Sequence, residues 1–67
     1  MNIRINGKNE ELPDAAVTLH DLVTGQGLAP ERVVMEVNLK VIPREQWRDV
    51  FVRDHDQIEM VSFVGGG

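Results

Sequence analysis

Few residues in this chain have a type and spacing that could support chemistry. They are His20 and His55, the aspartates Asp54 and Asp56 around His55, the hydroxyls of Thr18 and Ser62, and the run Gly65-Gly66-Gly67. A metal-binding imidazole has company, at spacings such as His-x3-His or beside cysteine pairs. Neither histidine has such a neighbour and the chain has no cysteine, so both read as surface imidazoles. Two acids in a short polar run form turns far more often than they share a proton. Thr18 and Ser62 have no base nearby in sequence, which leaves nucleophilic catalysis unsupported. Asn6-Gly7 lacks the glycine–lysine spacing of a phosphate loop, and Gly25-x-Gly27 is too sparse for a dinucleotide fingerprint. The glycine run remains. Without Cβ atoms it can thread a narrow channel in conformations closed to other residues, and three residues reach roughly 10 Å. A glycine run at a chain end is more often a loose end, and taken alone it does not decide between the two readings.

The elements that would carry such a tail are legible in the periodicity. Ile3 and Ile5 alternate with polar residues as in a half-buried strand. Asn6-Gly7 is the dipeptide of a tight hairpin, and Lys8 to Leu12 returns as a weak, acidic strand ended by Pro13. Thr18-Leu19-His20-Asp21 resembles a capping box with Asp21 in place of glutamate. Leu19, Leu22 and Val23 then form one apolar helical stripe. Gly25 and Gly27 are stop signals, and Leu28 can fold back on the helix end. Val33 to Val37 is the most strand-prone stretch, with Val33, Met35 and Val37 on one face and Val34 and Glu36 on the other. A short strand at Val41-Ile42 follows. Pro43 suits the first position of a helical turn over Arg44 to Trp47. Trp47 reads as a cover for the core rather than a binding anchor. Val50-Phe51-Val52 is apolar, Arg53 to Asp56 is a polar turn, and Ile58 to Val64 is the last strand. Ile58 and Met60 face the core, while Val61 and Phe63 lie on the opposite face.

The order predicts an α+β fold in which a mixed sheet grips one main helix. The helix can serve as the crossover between parallel outer strands. The expected division is a domain over 1–64 and a flexible glycine tail over 65–67. The length allows one domain, of modest stability on size grounds. A hydrophobic content of 42% suits a compact core. The net charge is −4 and the cationic residues are scattered, which argues against nucleic acid as a partner. No apolar run approaches the roughly 18 residues of a membrane span. Met1 to Ile5 alternates and is unlike a signal peptide. The expected location is therefore the cytoplasm, which the lack of cysteine fits.

Three segments carry a family resemblance. Asn38-Leu39-Lys40-Val41-Ile42-Pro43-Arg44-Glu45-Gln46-Trp47 resembles the central segment of the ThiS sulfur carriers of thiamin biosynthesis. Asp54-His55-Asp56-Gln57-Ile58-Glu59 resembles the family's turn into its last strand, and Phe63-Val64-Gly65-Gly66-Gly67 its ending. The final glycine pair is shared with ubiquitin-like proteins and the molybdopterin-pathway carrier MoaD, and the Pro43-to-Trp47 block favours ThiS. Gly65 is a third glycine beyond the minimal pattern.

The resemblance implies the β-grasp (ubiquitin-like) fold and a function as protein co-substrate rather than enzyme. It implies that the carboxylate of Gly67 is adenylated and converted to a thiocarboxylate, with Gly65 and Gly66 threading the partner's channel. The implied partners are a ThiF-like adenylating enzyme, a ThiG-like thiazole synthase and a sulfur donor such as a cysteine desulfurase. No cofactor is expected to be bound by this chain, since ATP would be used by the adenylating enzyme. Val61 and Phe63, with Val64 at the root of the tail, are the expected docking residues. The alternatives are a carrier for molybdopterin or another sulfur pathway, a ubiquitin-like modifier attacked by lysine amines, and a plain interaction module with inert glycines.

Overall fold

The computed structural model describes residues 1–63, and it begins with the hairpin. Strands β1 (Asn2–Ile5) and β2 (Lys8–Glu11) pair antiparallel with Ile5 opposite Lys8. The turn between them has φ of 51° at Asn6 and 81° at Gly7, the two positive values that match the twist of the flanking strands. Ile3 and Ile5 are buried, and every residue of β2 is exposed. As an edge strand, β2 carries lysine and two glutamates, which discourage pairing with other chains.

Helix α1 (Leu19–Gly25) starts as the capping box requires. The Thr18 hydroxyl accepts from the Asp21 amide, and the Asp21 carboxylate accepts from the Thr18 amide, both at 3.1 Å. The hydrogen bonds from Thr18, first from its backbone and then from its hydroxyl side, hold the Asp21 carboxyl below the usual aspartate range. Leu19, Leu22 and Val23 are buried. Gly25 is the last helical residue, and the reversal falls on Gly27, with φ of 75°. The Gly27 amide donates to the Thr24 carbonyl and the Leu28 amide to the Val23 carbonyl, the bond pair of a Schellman cap.

A 3₁₀ turn over Pro30–Arg32 leads into β3 (Val33–Val37), β4 (Lys40–Val41), a second 3₁₀ turn over Arg44–Gln46, and β5 (Gln57–Ser62). The sheet order is β2-β1-β5-β3-β4, with β1 and β5 parallel and the other pairs antiparallel. The first strand and the last described strand therefore lie side by side, and α1 lies in the connection between the hairpin and the rest. This is the expected β-grasp arrangement. Trp47 is 1% exposed and its indole N–H donates to the Ile42 carbonyl at 2.8 Å, so it belongs to the core.

Several boundaries differ from expectation. The short strand is Lys40–Val41 rather than Val41-Ile42, because the two-residue turn Asn38-Leu39, with φ of 51° and 71°, pairs Val37 with Lys40. Val50-Phe51-Val52 makes a single bridge, Thr18 to Phe51. Its neighbours Val50 and Val52 instead bond to Leu19 and Val17 and fasten the helix start. His20 is half-buried rather than solvated, since its amide donates to the Trp47 carbonyl where that segment crosses the helix. The last strand ends at Ser62, and Val64 lies outside the described residues.

The outer face and far end of the last strand

Strand β5 has neighbours on both sides, and its two faces have different fates. Ile58 and Met60 point to the helix and are buried. Gln57, Glu59 and Val61 point outward, and the polar pattern stops at Val61. Val61 is 55% exposed and Phe63 59%. Val34 lies directly opposite Val61 on β3 and is itself exposed. The Phe63 amide donates to the Arg32 carbonyl at 2.8 Å, so the pairing with the β3 side continues past Ser62. Three apolar side chains thus gather on the solvated face, at the end from which the chain runs on to the glycines.

Next to that strip the face is acidic. Glu36 lies opposite Glu59, and Val41 lies opposite Glu36 on its other side. Like charges facing each other across a sheet are unfavourable, so the fold gains nothing from this pair.

The edge of β5 toward β1 is closed in an unusual way. The Arg4 amide donates to the Asp56 carbonyl and the Asn6 amide to the Ile58 carbonyl, each at 2.9 Å. The backbone of β1 then turns away at Gly7. The Asn6 side chain continues in its place: its Oδ1 accepts from the Met60 amide at 2.8 Å and its Nδ2 donates to the Met60 carbonyl at 3.2 Å.

Other candidates for chemistry are spread apart. His55 Nε2 lies 3.2 Å from an oxygen of Asp54, with both side chains well exposed. The other Asp54 oxygen accepts from the Asn2 amide, so this pair fastens a turn in open water. Asp56 is buried, accepting from the Arg53 amide and the Asn38 side chain. Among the described residues no group of three or more His, Cys, Asp or Glu converges as metal ligands do. No helix among them is long and apolar enough to cross a membrane.

The exposed pair Val61 and Phe63 stands where the sequence pattern puts it, while Val64, Gly65, Gly66 and Gly67 lie outside the described residues. Val34, Glu36, Glu59 and Asn6 were not singled out from sequence. Alternation already turns Val34 and Glu36 outward, but which residues of β5 they meet depends on a register set across the sheet.

Comparison with known proteins decides the family. The sequence model of the ThiS family matches residues 3–67. The chain belongs to the ThiS family. It is 35% identical over 65 residues to the sulfur carrier protein ThiS of Bacillus subtilis, covering 97% of this chain and 98% of that protein. It is 42% identical over 67 residues to the thiazole synthase of Magnetococcus marinus, where it spans all of this chain but 20% of that protein's length. The crystal structure of the thiamine biosynthesis protein ThiS from Geobacter metallireducens superposes with a TM-score of 0.84 at 33% identity, over 100% of both chains. Membership of the ThiS family accounts together for the β-grasp topology, the segment around Trp47 and the glycine run that follows the apolar strip.

Proposed function

We propose that this ThiS-family chain carries sulfur for thiazole formation in thiamin biosynthesis, on the carboxylate of Gly67. The observation that carries the reading is the apolar strip of Val34, Val61 and Phe63. It is exposed on paired strands of the sheet, shortly before a glycine run, in a chain of this family.

The chemistry follows from the electrophile. A carboxylate repels nucleophiles. ATP transfers AMP to it and releases pyrophosphate, leaving an acyl-adenylate. The donor's persulfide then attacks the acyl carbon through its outer sulfur and expels AMP. A thiol cleaves the resulting S–S bond, becoming a disulfide with the donor's sulfur and leaving the tail as a thiocarboxylate. Adenylation belongs to a ThiF-like enzyme, and the sulfur comes from a donor such as a cysteine desulfurase. A ThiG-like thiazole synthase receives it. The similarity to part of a thiazole synthase supports that last partner. The chain acts as a co-substrate in the cytoplasm. Val61, Phe63 and Val64 dock the partner, and Gly65 and Gly66 pass through a channel too narrow for side chains. Ordering each tail residue costs about 1–2 kcal/mol, which docking of the apolar strip offsets. The opposed glutamates Glu36 and Glu59 suit a partner that brings a cation to that row.

The test is intact mass spectrometry of the protein from its own cells, with and without the adenylating enzyme. The expected result is an enzyme-dependent species heavier by the difference between sulfur and oxygen. A chain that stays a plain carboxylate, while its cells still make thiazole, rejects the proposal.

A further inference from the structure

The two edges of β5 alternate along the strand. In its antiparallel pairing with β3, Asn38 bonds to Gln57 and Arg32 to Phe63. With Glu36 opposite Glu59 and Val34 opposite Val61, these odd-numbered residues of β5 turn their backbone groups toward β3. Ile58, Met60 and Ser62 turn theirs the other way, toward β1. Ile58 is met there by the Asn6 amide, and Met60 by the Asn6 side chain. Ser62 is next, and β1 has already left at Gly7. Among the described residues nothing pairs with the Ser62 N–H or C=O toward that side, and Ser62 is exposed.

We infer that this end of β5 is an open strand edge which takes an extended main-chain segment of the thiazole synthase, laid in line with β1. The inference rests on the carrier reading. The donor and acceptor of one strand residue face the same way, a pattern that an extended backbone satisfies and a single anion does not. The molecule already seats a peptide-like group on the preceding rung, the Asn6 amide on Met60. A partner that covers Val61 and Phe63 and extends over the adjacent β1-side edge takes Ser62 out of water. It must then supply both an acceptor and a donor, or leave two buried backbone groups unpaired. Asn6 closes the rung before, so the added strand has a fixed starting point, two residues ahead of Val64.

Amide hydrogen exchange read by NMR tests this on the full chain. In the free protein the Ser62 amide exchanges fast, while Met60 and Val61 are protected. With purified thiazole synthase bound, Ser62 exchange slows at least tenfold. Ser62→Pro removes an N–H that no ladder bond uses. It should melt close to the parent and bind the synthase about tenfold more weakly, whereas Ser62→Ala binds as the parent does. Three results overturn the inference: a Ser62 amide already protected in the free chain, one that exchanges equally fast in a complex that shields Val61 and Phe63, or a Ser62→Pro chain that binds unchanged. If that variant fails to fold, the exchange measurement on the parent still decides. If the parent forms no complex with the synthase, the carrier reading fails and the inference falls with it.

Discussion

The two ends of β5 are treated in opposite ways. At its start, Asn38 and Gln57 exchange bonds, the Asn38 amide to the Gln57 carbonyl at 2.8 Å and the Gln57 amide to the Asn38 side chain at 3.0 Å. Asp56, 8% exposed, accepts from the Asn38 amide group at 3.0 Å and from the Arg53 amide at 2.8 Å. A buried carboxylate is tolerable when its oxygens are occupied in this way. At the far end, Val61 and Phe63 stand in water and Ser62 keeps an edge open. One strand thus uses its first residues to hold the fold together and leaves its last apolar side chains in water, where the proposed docking would take place. The anchored and the exposed end are separated along about 17–20 Å of backbone, at the usual rise per strand residue.

The contrast can be broken or sharpened by substitution, in descending order of effect on stability. Trp47→Ala removes the largest fully buried side chain and should destabilise by about 3–5 kcal/mol. In a domain this small that leaves little folded protein, as circular dichroism would show. Asp56→Ala strips partners from two donors at the anchored end and should cost about 2–3 kcal/mol in urea titration. A loss below about 0.5 kcal/mol would mean that the anchored end is no anchor. Thr18→Ala removes the helix cap at about 1 kcal/mol. Because the folded state holds the Asp21 carboxyl low, its contribution is present above about pH 4 and fades as acid protonates it below that. Thr18→Ala keeps the backbone N–H that the Asp21 carboxylate accepts, so parent and variant should lose most of this contribution together in acid melts. At the open end, Val61→Ser with Phe63→Ser should change stability by no more than about 0.5 kcal/mol, yet slow adenylation by the partner enzyme more than tenfold. Should this pair melt like the Trp47 variant, the outward strip is structural and the division of β5 is wrong.

Much of the fold could be read from local chemistry. Asn6-Gly7 dictates its hairpin because few residues accept two positive φ values in succession. Thr18 and Asp21 announce a helix start within four residues. Alternation in β3 and β5 assigned the faces. What stayed hidden joins distant parts of the chain. The Asn6 side chain meets a strand 54 residues away, and Asn38 meets Asp56 across 18. Neither partner has a pattern that names the other. His20 was misjudged for the same reason, since its surroundings come from a segment that crosses the helix start. The outward strip was legible as a break in alternation, whereas the opposed glutamates beside it required the register.

One feature of the topology bears on how the protein is made. Strand β5 follows the other described strands in the sequence and yet lies in the middle of the sheet, between β1 and β3. Until residues 57–62 emerge, the N-terminal hairpin and the β3–β4 hairpin have no strand between them. Folding waits for contacts of long sequence separation, which are slow to close. A chain cut short before this segment lacks the one strand that pairs with both β1 and β3.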